Sequence, residues 1–262
     1  MIEHEFPLIA RLSLYALGTV EGGRIRTPLD PVAQWLMRHR PALMPTGGAA
    51  PALSTIRART LLLDRMLLDE LYRARRAGER LCVWTIGGGF DARWHRMQDE
   101  FTDVVVEIRE VEDPAILRYK DRWLRDSPFA GRWAQVRVRP KAPEGWTARP
   151  RTGARALIIL EGPAGRLAPD ALKRLLQRLR YETPDARVLL GLPGLPRREG
   201  DIWTAFQIRS LGFRVEEDIN LGPRGRLMTP DGDELCPGMY PVRVLSLGGR
   251  PPGSPAPAAR RS

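Results

Sequence analysis

Gly87-Gly88-Gly89 runs directly into Phe90-Asp91-Ala92-Arg93, and no other stretch of the sequence concentrates as much potential chemistry. Glycine has no Cβ, so it lets a backbone turn tightly and approach a ligand closely; a triplet between a strand and a helix suits a nucleotide-type loop. The same triplet can equally be a plain structural turn. About twenty residues further on, Glu110-Val111-Glu112-Asp113 closes a second predicted strand, where an acidic side chain can accept from both hydroxyls of a ribose. The alternative for Glu110 and Glu112 is a solvated acidic strand end, with Asp113 capping the next helix. Gly87-x-Gly89-x-x-Ala92 also satisfies the GxGxxA form of the nicotinamide-dinucleotide fingerprint. Asp91 and Arg93 favour a different ligand. An amino-acid tail needs an anion for its ammonium and a guanidinium for its carboxylate, whereas a pyrophosphate gains nothing from an aspartate.

Strands alternating with helices must place these residues. Leu81 to Ile86 is a short apolar run ending in the glycines, and Val104 to Ile108 is a β-branched run, with a helix through Trp94 to Asp99 between them. Asp113-Pro114 sets an N-cap residue before a proline at the first helical position, opening a helix through Ile116, Leu117, Trp123 and Leu124. Further strands are predicted at Ala134 to Val138, Ala156 to Leu160, Arg187 to Leu190, Phe213 to Glu216 and Val242 to Leu247. Helices are predicted over Pro169 to Arg180 and Ile202 to Leu211. This alternation argues for a parallel sheet covered by helices on both faces, with ligands at the carboxyl ends of its strands.

Ahead of the alternation, residues 1–78 read as a helical N-terminal cap, interrupted by a Pro/Gly/Ala-rich break at Pro41 to Pro51. Ser54 or Thr55 can cap a helix whose apolar face is Ile56, Leu63, Met66, Leu67 and Leu71 and which ends near Gly78. The main domain spans 79–247. The remainder, 248–262, has too little apolar surface to offset its ordering entropy and is expected to be disordered.

At 262 residues and 43% hydrophobic, the chain can bury one large core. No run of about 18 apolar residues is present and the N-terminus lacks the features of a secretory signal, so no membrane association and a cytoplasmic location are expected. Two cysteines, Cys82 and Cys236, cannot form a four-ligand zinc site, so no metal is expected, and Cys82 reads as a small core residue. The net charge of +11 invites a polyanion partner, yet 39 of the 42 basic residues are arginines scattered through every predicted element. No basic strand is interleaved with stacking aromatics, which argues against nucleic acid as a partner.

Several stretches together resemble the leucine carboxyl methyltransferase-like superfamily, in particular the bacterial branch that resembles the tetracenomycin polyketide O-methyltransferase. Ile86 to Arg93 resembles its LGAGLDTR motif, and Glu110-Val111-Glu112-Asp113-Pro114 with Lys120 resembles its EVDLP stretch and following lysine. Arg59-Thr60 with Asp64 is similar to its upstream RT..iD element, and Asp30-Pro31-Val32-Ala33 to its DPxA. Glu161-Gly162 resembles the start of EGLLMYL, and Leu211-Gly212-Phe213 the late LGF. The order of these matches is preserved from about residue 10 to 220.

The resemblance implies a Rossmann-like class I methyltransferase with a mostly parallel seven-stranded sheet. It would use S-adenosyl-L-methionine to methylate an oxygen of a small-molecule acceptor, plausibly a polyketide or another specialised metabolite. Arg59 and Arg93 would hold the cofactor carboxylate, Gly87 and Gly89 would shape the loop, and Asp91 would brace it or face the ammonium. Glu112 would take the ribose, and Glu161 would sit beside the methionine moiety. Three positions depart from the family. Glu112 replaces an aspartate, Pro140-Lys141 before Trp146 stands where an aspartate would read the adenine, and Arg166 replaces a tyrosine. An NAD(P)-dependent oxidoreductase and a catalytically inactive methyltransferase-like binding module are the competing expectations. No catalytic base is assigned among His4, His39, His95 and Tyr15, and the oligomeric state is left open.

Overall fold

The computed structural model describes residues 30–39, 50–97, 100–130, 136–140, 150, 153–161, 169–193, 205–221, 226–228, 234–235 and 242–249. The expectations for His4, Tyr15, Lys141, Trp146, Arg166, Trp203, Cys236 and the tail past residue 249 lie outside them, as does the side chain of His95.

Two helices come first, α1 (Pro31–His39) and α2 (Ala50–Ala77). There follow β1 (Leu81–Ile86), α3 (Arg93–Met97), β2 (Val105–Glu112), α4 (Pro114–Arg125), β3 (Val136–Pro140) and β4 (Arg155–Leu160). The chain continues through α5 (Pro169–Glu182), β5 (Arg187–Pro193), α6 (Ala205–Ser210) and β6 (Arg214–Leu221). A small β7–β8 pair (Leu227–Met228 and Glu234–Leu235) precedes β9 (Val242–Gly248). Seven strands form one sheet in the order β3-β2-β1-β4-β5-β9-β6. Strands β1 to β5 are parallel, and β9 runs antiparallel between β5 and β6. The fold is therefore α/β and Rossmann-like, with a mostly parallel sheet.

Strands buried on both faces need apolar residues at consecutive positions, and β1 and β4 have them. Leu81, Val83, Leu157, Ile159, Leu189 and Val244 pack on one face with Val32 and Leu36 of α1, Leu63 and Leu67 of α2, and Trp123 and Leu124 of α4. Cys82, Trp84, Ile158, Leu160, Val188 and Leu245 pack on the other, with Leu172 and Leu176 of α5 and Ile208 of α6. Helix α2 lies against β5 and β9, where Gly191 admits it: a Cβ there would meet Leu63 Cδ1 at 2.9 Å and Arg59 Cδ at 3.1 Å.

Ser54 and Thr55 are not a helix cap. Helix α2 begins at Ala50, four residues earlier than Ser54, with Pro51 in its first turn, where the missing N–H has no helical acceptor to lose. Its end falls at Gly78 as expected, with φ +65° and a Glu79 N–H to Ala74 O bond of 2.9 Å. At the amino end of the sheet Glu70 of α2 is buried and takes Arg187 Nε at 2.9 Å, fixing the start of β5 to this helix.

Chain order runs outward from β1 to β3 on one side and from β4 to β5 on the other. The crevice where it reverses lies at the carboxyl ends of β1 and β4, the place where open α/β sheets receive ligands.

Candidate functional site

The glycine loop leaves β1 at this crevice. Gly87 and Gly89 have φ of +73° and +59°, backbone conformations that L side chains rarely adopt. Gly88 is required for a different reason, since a Cβ there would meet Thr85 Cγ2 at 2.8 Å. Gly87 N–H donates to Val111 O at 2.9 Å, and Asp91 N–H to Gly88 O at 2.9 Å. Asp91 Oδ1 then accepts Arg93 N–H at 3.0 Å, opening α3.

Side chains from distant elements hold the rest of this loop. Asp30, fully buried, caps α1 by accepting Val32 N–H at 2.8 Å and Ala33 N–H at 3.1 Å through Oδ1. Its other oxygen takes Ala92 N–H at 3.3 Å. Lys120 of α4, 1% exposed, donates from Nζ to Asp91 O at 2.5 Å and to Glu110 Oε1 at 2.7 Å.

Arg93 is the hub. Its side chain is fully enclosed. Nε donates to Asp64 Oδ1 at 2.8 Å and lies 3.3 Å from Asp91 Oδ2, while Nη2 donates to Glu161 Oε2 at 2.7 Å. Nη1 is buried and has no hydrogen-bond partner. Glu161, the residue after β4, also accepts Thr60 Oγ1 at 3.0 Å and Arg59 Nε at 3.4 Å. Burial alone would push the Glu161 carboxyl up, but the guanidiniums of Arg93 and Arg59 and the Thr60 hydroxyl override it and hold it at about 2. Burial would lower Arg93; Asp91, Glu161 and Asp64 instead hold it well above its ordinary value. Asp64, Asp91 and Glu161 thus converge on Arg93, with Arg59 also on Glu161.

Glu110 and Glu112, two residues apart, point to the same face of β2 but fare differently, because Glu110 lies within the strand under Lys120 and Glu112 is its last residue, at the crevice. Glu110 is buried, its carboxyl pushed up by desolvation against the opposing pull of Lys120, and it serves as that lysine's partner. Glu112 is half-buried at the crevice. Its Oε2 accepts Gly89 N–H at 2.7 Å and its Oε1 accepts Asp113 N–H at 2.8 Å. Asp113 in turn caps α4, accepting Ala115 N–H at 2.8 Å.

All seven anticipated positions, Arg59, Gly87, Gly89, Asp91, Arg93, Glu112 and Glu161, lie at or beside this crevice. Asp91 braces the loop. The roles of Asp30, Thr60, Asp64 and Lys120 as holders of the loop and of Glu161 were not anticipated, although each stands in a recognised motif. One signal was available: Thr60 and Asp64 are four residues apart on a helix and so share a face. Trp84 and Trp94 are core residues, as expected, and Trp94 Nε1 donates to Thr85 Oγ1 at 3.1 Å. Exposed His39 ends α1, its Nδ1 paired with Trp35 O at 2.8 Å. Among the described residues no cluster could hold a metal ion, and no helix is long and apolar enough to cross a membrane.

No model of a known protein family matches the chain, and no curated protein matches it. Solved structures do. The LepI complex with SAM is similar at 12% identity and a TM-score of 0.43, over 66% of this chain and 43% of that one, so this chain spans less than half of LepI's length. A TehB-like SAM-dependent methyltransferase from Corynebacterium glutamicum is similar at 14% identity and a TM-score of 0.43, covering 77% of this chain and 99% of that one. Precorrin-6y C5,15-methyltransferase from Geobacter metallireducens is similar at 17% identity and a TM-score of 0.42, covering 71% and 86%. The fold itself is defined by the strand order above.

Proposed function

We propose that this chain is an S-adenosyl-L-methionine-dependent methyltransferase acting on an oxygen of a small molecule, a hydroxyl or a carboxylate, plausibly of polyketide or other specialised-metabolite origin. The supporting observation is the convergence of Asp64, Asp91 and Glu161 on the enclosed Arg93 beside the glycine loop, where Arg93 Nη1 has no hydrogen-bond partner among the described residues. A methionine tail suits such a cluster of both signs: its carboxylate would be drawn to Arg93 and Arg59, and its ammonium to Asp91 and Glu161. Glu112 would accept from the ribose, and Gly87 and Gly89 let the backbone come close.

The bound cofactor supplies a methyl group on a sulfonium, open to in-line displacement. The chain's own contribution is to hold cofactor and acceptor in line, which is worth about 7–11 kcal/mol in well-oriented reactions. A carboxylate acceptor needs no base; a phenol or enol would gain about 10²- to 10⁴-fold from one. The proposal carries with it a helical segment over 1–78, a catalytic domain over 79–247, a free tail and a cytoplasmic location.

A dinucleotide fits less well. The Gly89 N–H that a pyrophosphate would use is already given to the Glu112 carboxylate, and Asp64, Asp91 and Glu161 would repel its charge. Isothermal titration with S-adenosylhomocysteine is the test, followed by transfer of a labelled methyl group to candidate acceptors. Micromolar binding is expected; no heat at millimolar ligand, together with NADH fluorescence enhancement, would reverse the assignment. Binding without transfer to any component of a cell extract would point to an inactive binding module.

A further inference from the structure

Gly87 N–H to Val111 O is a backbone rung between the carboxyl ends of β1 and β2. Two residues later the Gly89 N–H meets a side chain instead, at 2.7 Å from Glu112 Oε2. The other oxygen of the same carboxylate takes the N–H of Asp113, the residue that caps α4. A single side chain thereby joins the loop after β1 to the start of the helix after β2.

We infer that Glu112 is a positioning residue for the glycine loop: its carboxylate fixes Gly89 in place before any ligand arrives, and its extra methylene supplies the necessary reach. The inference rests on the methyl-donor site proposed above and extends it. A carboxylate has about four lone-pair positions. Two are used by N–H groups here, so the pair of hydroxyls of a ribose can still be accepted without releasing the loop. Aspartate at this position is shorter by about 1.5 Å, one carbon–carbon bond. From the same backbone it would leave Gly89 N–H beyond hydrogen-bond range while keeping an acceptor near the diol. The Gly88–Gly89 peptide is held at its carbonyl end by Asp91 N–H, 2.9 Å from Gly88 O, and the Glu112 carboxylate secures its N–H end.

The test compares full-length wild type, Glu112→Asp and Glu112→Gln without ligand, following amide exchange residue by residue by NMR, and then titrates each with S-adenosylhomocysteine. Wild-type Gly89 is expected to be protected. In Glu112→Asp its amide should exchange at least about tenfold faster, as expected for loss of a hydrogen bond to a charged acceptor, with β4 amides unchanged. The affinity for S-adenosylhomocysteine should fall by about five- to tenfold. Glu112→Gln keeps the reach and should show a smaller acceleration.

Free exchange at Gly89 in wild type, or unchanged exchange in Glu112→Asp, would overturn the inference whatever binds. Faster exchange with unaltered affinity would also overturn it, by showing a tie that does not prepare the site. If none of the three proteins binds S-adenosylhomocysteine but the exchange differences appear, the loop tie stands and the methyl-donor proposal falls.

Discussion

Glu161→Gln isolates the ion hub by changing one atom. In the folded protein the Glu161 carboxyl sits at about 2, against an ordinary value of 4.5. Each tenfold change in that proton equilibrium is worth about 1.4 kcal/mol, so the difference corresponds to roughly 3 kcal/mol of stability. Because the folded value is the lower one, the contribution is fully present above pH 4.5 and is lost as pH falls through the folded value of about 2. Wild type carrying a protonated Glu161 then resembles the glutamine variant. Urea unfolding of both proteins between pH 2 and 7 should therefore give curves about 3 kcal/mol apart near neutrality that converge at the acid end, with unchanged slopes against denaturant. The difference between the proteins is the quantity to follow. Glu110 has its carboxyl raised by burial and works in the opposite direction in either protein, losing stability as pH rises past 4.5. A gap that stays constant with pH, or one below about 1 kcal/mol at neutrality, would refute an ion-pair origin and leave Glu161 as an ordinary packed polar group.

Gly191→Ala should cost about 1–3 kcal/mol by thermal or urea unfolding, since its Cβ would press on Leu63 at 2.9 Å and on the stem of Arg59 at 3.1 Å, moving α2 off β5. Arg93→Lys keeps the charge but cannot span Asp64 and Glu161 together. We expect a loss of about 3 kcal/mol in unfolding experiments and at least a tenfold weaker titration with S-adenosylhomocysteine, and equal affinity would count against Arg93 as a ligand. The Cys82 thiol is pushed up to about 12 by burial and then by Glu107, so mass spectrometry should find its peptide unalkylated after treatment of the native protein at pH 8 and alkylated after unfolding.

Parallel strands are buried on both faces and so announce themselves as unbroken apolar runs, which is why β1 and β4 were located to within a residue from sequence. β2 shows the limit of that signal. Its apolar run stops at Ile108, and only the acidic stretch Glu110 to Asp113 marks its close; the strand itself runs through Arg109, Glu110, Val111 and Glu112, with Arg109 and Glu110 buried. Charges look like a strand's end until their partners are known. Here Glu110 is buried because Lys120 reaches it from α4, and Arg109 because it pairs with Glu107 and lies 4.6 Å from the Trp84 ring. Similarly, the strand expected at Phe213 to Glu216 runs on as β6 through Glu217 and Asp218 to Leu221, since the edge of a sheet tolerates exposed charge.

The site follows the same division. Glycines, Asp91 and Arg93 could be read together because they are contiguous. The contacts that give them meaning span 62 residues from Asp30 to Ala92, 68 from Arg93 to Glu161 and 102 from Arg59 to Glu161, and no local pattern encodes such pairings. Two arginines in a sequence suggest an anion site. In the fold the same two meet Asp64, Asp91 and Glu161, so the site presents both signs of charge. An amino-acid tail, which brings an ammonium and a carboxylate together, suits a site of both signs, and that requirement narrows the choice further than the glycine loop does.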